Sequence, residues 1–399
     1  MNKQEDAADL RGMMVLFMAI AAALGTSTIY VLQPSIADVA ASTHTSVAAI
    51  GVALGCGPIG YMVGLLALVP LVDRLPPRNV LGAQFALLGL TLGLTATVKN
   101  VVAMGLLIGI TGACSVVGAG MSSIAGRLTL PHRRATNLGV VTAGISAGIL
   151  AGRIAGGWLS DLMGWRGMLL VFAATCGAFA VCCRVLLPAT RGHVTGGYFA
   201  GLLSLPRLFA NHGALRIAAF RGALWFFGFC AVWAGLAVAL SQPPFSYSAE
   251  RIGLYALAGL SGIAATRVAG VWTDRVGARK VILVGLVLAG CAALVGGVVL
   301  HDTAATLVCL ALFDAGLFAA QVANQSTVLA LHPAAPARFN SAYMMVYFVG
   351  GTLGTMFGAA AVEWFGWATS SVFIAALIAV AAVFTLIVRE PAVEARKPS

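Results

Sequence analysis

The chain has 399 residues, of which 60% are hydrophobic and only 9% charged, where an ordinary soluble domain carries about 25% charged residues. With a mean hydropathy of +0.96 and a formal net charge of +11, the composition excludes a soluble cytosolic enzyme, a secreted disulfide scaffold and a nucleic-acid-binding domain. It is the composition of a polytopic membrane protein.

In chain order, apolar runs fall near 13–36, 47–71, 79–98, 101–126, 138–161 and 167–187. A second group falls near 215–240, 250–273, 279–300, 303–330, 340–362 and 366–388. Each approaches the roughly 20 residues that cross a bilayer as one helix. Continuous runs of this length exclude a β-barrel, whose strands alternate over about ten residues. The first run has no small-residue cleavage site after it and is expected to be a retained helix, not a signal peptide. Twelve spans put both termini on one side. With the N-terminus inside, 18 of the 24 Lys and Arg residues fall on cytoplasmic segments, and only Lys99, Arg166 and Arg251 fall outside. That asymmetry predicts cytoplasmic termini. Arg153, Arg221 and Arg267 lie at or within helices.

The longest gap between apolar runs contains Pro188, Arg191, His193, Pro206, Arg207 and His212. It divides the chain into a six-helix bundle over 1–190, a cytoplasmic loop over 191–214 and a second six-helix bundle over 215–399. An internal repeat supports the division. Asp73-Arg74 and Asp274-Arg275 are 201 residues apart, and Asp161-Leu-Met-Gly164-Trp165 is echoed by Glu363-Trp-Phe-Gly366-Trp367 after 202. Repeats of this kind are common in transporters, with the substrate site between them near the bilayer midplane.

The eight cysteines all lie in apolar runs without metal-ligand spacing and are read as packing residues, so no metal and no cofactor is expected. The six histidines sit in or beside loops and form no HxxxH pattern, and neither GxSxG nor GxxxxGK[ST] occurs. An integral-membrane enzyme would need a convergent catalytic cluster and a primary pump a nucleotide site. No catalytic residue is expected.

The loop after the eighth run reads Gly270-Val-Trp-Thr-Asp274-Arg275-Val-Gly277-Ala-Arg279-Lys280. Its glycine suits close helix approach, and its carboxylate suits a helix N-terminus or a neighbouring Arg. This loop resembles the signature loop of the major facilitator superfamily. The first-half copy keeps Asp73, Arg74 and Arg78 but has Val69 in place of the packing glycine and Pro76-Pro77 in place of Gly-Arg. Both loops are expected to latch the cytoplasmic side, the Asp73 contact more loosely than the Asp274 contact. The bland alternative is that their charges only mark the membrane boundary.

The fifth run carries Gly139, Gly144, Gly148, Gly152, Gly156 and Gly157. Glycines four apart form one smooth face, expected to permit sliding contact between the halves or to serve as a simple packing stripe. The spacing resembles the fifth-helix motif of drug:proton antiporters, with Arg153 where that motif has proline. Tyr30-Val-Leu-Gln33-Pro34, Leu254–Ala265, Gln321-Val-Ala-Asn324-Gln325-Ser326 and Asn340-Ser-Ala-Tyr343…Tyr347-Phe-Val-Gly350-Gly351 resemble the bacterial sugar-exporter-like (arabinose efflux) branch of those antiporters.

The resemblance implies an all-α fold of twelve transmembrane helices in two pseudo-symmetric bundles, with helices 1, 4, 7 and 10 around a central cavity. It implies a proton-coupled exporter of a drug-like compound, sugar or metabolite in the bacterial inner membrane. An importer of a sugar, organic acid or siderophore on the same fold is the alternative, because fold does not fix direction. The expected partners are a small-molecule substrate, protons and lipid, with no nucleic acid, and the chain is expected to act as a monomer.

Asp314 is the carboxylate farthest from both ends of its span, and Arg153 lies at similar depth. Ionisable residues at such depth are functional candidates. Asp314 is the candidate proton carrier, and Arg153 its partner or an anion site. The alternative is that each is permanently paired for structure. Trp225, Phe226, Phe227 and Trp233 in the seventh run offer aromatic faces to a planar substrate, though packing uses the same residues. Tyr30 and Gln33 suggest a gate or cavity wall. Gln321 and Asn324, at i and i+3, offer amide groups, and Tyr343 and Tyr347 complete the candidate cavity.

Overall fold

A computed structural model of the chain describes residues 12–189, 205–332 and 336–387, and among these no strand occurs. The helices are α1 (Gly12–Ser27), α2 (Ile36–Thr43), α3 (Val47–Ala67), α4 (Val69–Val72), α5 (Pro77–Thr97), α6 (Val101–Cys114), α7 (Val117–Leu128) and α8 (Pro131–Leu186). They continue with α9 (Leu205–Asn211), α10 (Gly213–Ser241), α11 (Ala249–Leu254), α12 (Leu260–Val276), α13 (Ala278–Val298), α14 (Thr303–Ala330) and α15 (Pro336–Ile387). A 3₁₀ turn over Tyr255–Gly259 joins α11 to α12. Most of the expected central loop, 191–204, lies outside the described residues, as do both chain ends.

Nine stretches of described helix are long and apolar enough to cross a membrane. Two of these, in α8 and α15, hold two spans each. Their backbones break at Gly164 (φ 75°) and Gly366 (φ 79°), a left-handed conformation that a side chain would strain. Counting those breaks and the shorter apolar helix α1, the twelve expected spans are present.

Helix starts are set by local side chains. Ser46 accepts the N–H of Ala49 at 3.1 Å, and Ser248 that of Arg251 at 3.3 Å. Asn100 accepts the N–H groups of Val102 and Ala103, and Asp302 those of Ala304 and Ala305. Each side chain satisfies donors that a helix leaves open in its first turn. The pairs Ser46/Ser248 and Asn100/Asp302 are both 202 residues apart, so the internal repeat extends to the caps.

By contact the chain forms two units. The first comprises residues 1–196, 236–257 and 355–363, and the second 197–235, 258–354 and 364–399. In the first unit α8 is the central element, packed on α1 and α5, while α3 packs on α6. In the second, α14 packs on α13 and α12. Large apolar side chains such as Leu106, Val181, Val268 and Val298 are two-thirds or more exposed on the helix surfaces or nearly so, as expected where lipid is the solvent.

Close packing depends on small residues. A Cβ on Gly144, Gly148, Gly152 or Gly156 would lie 2.3, 2.3, 2.6 and 2.3 Å from the carbonyl oxygens of Ala19, Ala23, Ser27 and Val31. The glycine stripe therefore seats α8 on α1 and the segment after it, inside one unit. This corrects the expectation of a sliding surface between the halves: the face that is smooth enough to slide is already filled. Gly139 has nothing within 4 Å of its Cβ position and takes no part in the stripe. In the second unit a Cβ on Gly350 or Gly354 would likewise lie 2.2 Å from the carbonyl oxygen of Ala223 or Phe227.

Candidate functional site

The first group of candidate residues forms where the first span is interrupted. Between α1 and α2 the chain runs through turns over 28–35, and Tyr30 and Gln33 lie in that segment. Arg153 reaches it from α8. Its Nε donates to Gln33 Oε1 at 2.7 Å, and its guanidinium carbon stands 4.7 Å from the centre of the Tyr30 ring. Arg153 is buried, whereas Tyr30 and Gln33 are half-buried. An amide oxygen and an aromatic face both suit a guanidinium. Irregular backbone at membrane depth is tolerated where protein or a cavity supplies its hydrogen bonds. Nearby hydroxyls do part of this: Thr28 Oγ1 donates to the Gly25 carbonyl and shares a 2.6 Å hydrogen bond with Ser115 Oγ. Ser115 itself sits at the break between α6 and α7.

The second group lies in the second unit. Asp314, 2% exposed and 11 residues into α14, accepts a hydrogen bond from Trp233 Nε1 at 3.2 Å. Ten residues along the same helix, Asn324 Oδ1 accepts from both Nε and Nη2 of Arg221, while its Nδ2 donates to the Ala218 carbonyl at 3.0 Å. Arg221 and Asn324 are fully buried. Tyr343 donates its hydroxyl to Gln321 Oε1 at 2.7 Å. Tyr347 stacks on Phe226 with ring centres 4.0 Å apart and stands 5.6 Å from the Tyr343 ring. Trp225 is 1% exposed, with its indole N–H lacking an acceptor among the described residues.

The candidates thus sort into two clusters, one per unit, with Arg153 in the first and Asp314 in the second. Gln321 and Tyr347 are half-buried, while Trp225, Trp233, Asn324 and Tyr343 are fully buried by protein. Arg221 is the residue that sequence reasoning left without a role. Its signal was available as the arginine deep in the seventh apolar run, beyond Arg216 at the edge of that run, but nothing in the sequence pointed to Asn324, 103 residues away, as its acceptor.

The two signature loops differ from expectation. Asp73 accepts from Ser123 Oγ at 2.5 Å and pairs with Arg127 at 3.6 Å. Asp274 and Arg275 are exposed, and Asp274 has no hydrogen-bond or ion-pair partner among the described residues. Nothing lies within 4 Å of a Cβ on Gly270. Arg279 does not join Asp274; its Nε and Nη2 donate to the Thr385 and Leu386 carbonyls at the end of α15. The degraded loop is therefore the engaged one, because its carboxylate meets partners on α7 that the motif itself does not contain. Gly277, with φ 88°, supplies the turn that separates α12 from α13. Arg74 and Lys280 flank these groups, and Arg78 is exposed at the start of α5.

Among the described residues no group of three or more His, Cys, Asp or Glu side chains could hold a metal ion.

The sequence model of the Major Facilitator Superfamily matches residues 15–354 and 222–399. A protein of Escherichia coli O157:H7 called uncharacterized transporter YgaY is 29% identical over 360 residues, covering 90% of this chain and 91% of the relative. The probable transporter SCO4007 of Streptomyces coelicolor (strain ATCC BAA-471 / A3(2) / M145) is 27% identical over 354 residues, 88% of this chain and 81% of the relative. Among solved structures, the nucleoside transporter NupG superposes with a TM-score of 0.75 at 17% identity, covering 93% of this chain and 98% of NupG. A bacterial homolog of the human lysosomal transporter Spinster, inward-facing and occupied, gives 0.78 at 14% identity, with 94% and 96% covered. At such identities these likenesses concern the fold.

Proposed function

The chain belongs to the Major Facilitator Superfamily, a multi-pass membrane transporter, and on that premise we propose that it is a secondary active exporter that couples outward movement of a small molecule to inward movement of protons. The halves 1–190 and 215–399 act as the two bodies of an alternating-access cycle, in the bacterial inner membrane with both termini cytoplasmic. Proton coupling needs a group that changes charge deep inside the protein. Asp314 carries this reading: it is buried in α14, and the neutral indole N–H of Trp233 donates to its carboxylate. An indole N–H can serve a carboxylate and then an acid, because it bonds an acceptor oxygen present in both forms. Arg153, set by Gln33 and Tyr30, is the fixed positive charge of the other cluster, for an anionic group of the substrate or for the carboxylate. Gln321 and Tyr347, half-buried beside the aromatic stack of Phe226, supply polar and planar contacts to the substrate. Moving one charge inward harnesses about 2.3 kcal/mol per 100 mV.

The test uses purified full-length protein in liposomes with an imposed pH gradient, probed with ethidium and with arabinose. The parent protein should accumulate one of the probes against its concentration gradient. Asp314→Asn should abolish that accumulation while counterflow exchange persists. Uphill transport by Asp314→Asn under the same gradient would remove the coupling role from this residue, and accumulation in the opposite sense would make the protein an importer.

A further inference from the structure

Asp161 ends the long glycine-bearing part of α8, three residues before the break at Gly164. Its two carboxylate oxygens accept the N–H groups of Ala249 and Glu250, each at 3.0 Å. Glu363 stands three residues before the break at Gly366 in α15, and its carboxylate accepts the N–H of Ala48. Ala48 and Ala49 open α3 as Glu250 and Arg251 open α11, each helix having its own serine cap at Ser46 and Ser248. Asp161 and Glu363, Ala48 and Glu250, Ser46 and Ser248, and Gly51 and Gly253 are all separated by 202 residues. The two contacts are thus one contact made twice, with the roles of the repeats exchanged.

The backbones around each contact meet at glycine. A Cβ on Gly51 would lie 2.3 Å from that of Ala359, a Cβ on Gly253 2.5 Å from the carbonyl of Arg153, and a Cβ on Gly157 2.2 Å from the carbonyl of Ala249. First-turn N–H groups have no partner inside their own helix and carry its positive end. The serine cap serves the third of them, while Asp161 serves the first two in α11 and Glu363 the second in α3. Charge-assisted hydrogen bonds of this kind are about twice as strong as neutral ones. All these groups belong to the first unit, which includes 236–257 and 355–363 although the remainder of α10, α12 and most of α15 belong to the second.

We propose that Asp161 and Glu363 are paired latches, related by the internal repeat, that hold segments 236–257 and 355–363 to the rest of the first unit in the state described here and must both let go in the opposite state of the transport cycle. The proposal rests on alternating access and is independent of the substrate, of Asp314 and of transport direction, so its failure is separate from theirs.

The test reads local opening in the full-length protein in liposomes. Ile252, 5% exposed beside the Asp161 contact, is replaced by Ile252→Cys as a reporter, and alkylation by a bulky maleimide is followed site by site by mass spectrometry. Native Cys183, 0% exposed, reports global unfolding. In the reporter background, Asp161→Asn with Glu363→Gln should raise the alkylation rate at position 252 roughly tenfold or more, while Cys183 stays protected. The charge-keeping exchange Asp161→Glu with Glu363→Asp should leave the rate near that of the parent. A smaller rise, a rise shared by Cys183, or equal opening in the charge-keeping exchange would each overturn the proposal. Asp161→Asn alone, whose amide oxygen can serve only one of the two N–H groups, should open position 252 more than Glu363→Gln alone, whose amide oxygen can still accept from Ala48; the reverse order would likewise overturn it.

Discussion

Gly148 and Gly139 lie on the same helix, and replacing each by alanine should move stability in opposite directions. At Gly148 the new Cβ would stand 2.3 Å from the Ala23 carbonyl oxygen, against 3.4 Å or more for ordinary contact. Neither partner is the end of a flexible side chain, so α1 and α8 must separate by roughly 1 Å, enough to forfeit a quarter to a half of the dispersion well for every atom pair along the seam. The neighbouring glycines 144, 152 and 156 lose their fit together with it. Overpacking of this kind costs about 1–3 kcal/mol, and the upper end applies where backbone meets backbone. At Gly139 nothing lies within 4 Å, and alanine should gain up to about 1 kcal/mol from helix propensity. Thermal unfolding of the purified protein in detergent, followed by tryptophan fluorescence, reads both. Gly148→Ala should lower Tm by several degrees and Gly139→Ala should hold or raise it. Equal Tm values for the two variants would refute the packing argument.

Three further outcomes follow from the same geometry. Asp73→Ala should destabilise by about 1–2 kcal/mol through loss of the Ser123 and Arg127 contacts, while Asp274→Ala should stay within about 0.5 kcal/mol; thermal unfolding of the two variants side by side checks the order. Asn324→Leu removes the acceptor that Arg221 Nε and Nη2 share and should cost about 3 kcal/mol, with much of the loss recovered when Arg221→Met is added. Burial and the charge of Asp161 push Asp38 above the ordinary carboxylate value of 3.8. A carboxyl raised on folding contributes stability that is fully present below 3.8 and is lost as pH rises through the folded value. Asp38→Asn should flatten that acid-side slope of Tm against pH, and an unchanged slope would assign it to other groups.

Number, length and character of the spans were written in the sequence, because apolar runs, turn residues and charge asymmetry are local properties and lipid leaves a helix little alternative. The repeat was legible for the same reason at Asp161 and Glu363, and it proved to extend to the serine caps and the glycines that accompany them. Gly144 to Gly156 were recognisable as one face, since spacing alone sets that. Which partner the face meets depends on the arrangement of α1 against α8, and only the tertiary structure decided it. The same holds for the buried polar groups. A run of twenty apolar residues shows that Asp314, Arg153 and Arg221 are anomalous, but hydrogen bonds to Trp233, Gln33 and Asn324 join positions 81 to 120 residues apart. Loop motifs misled most: Asp73 keeps its partners on a helix fifty residues on, while the better preserved copy at Asp274 is exposed. Sequence fixes what a side chain can bond; the fold fixes what is within reach of it.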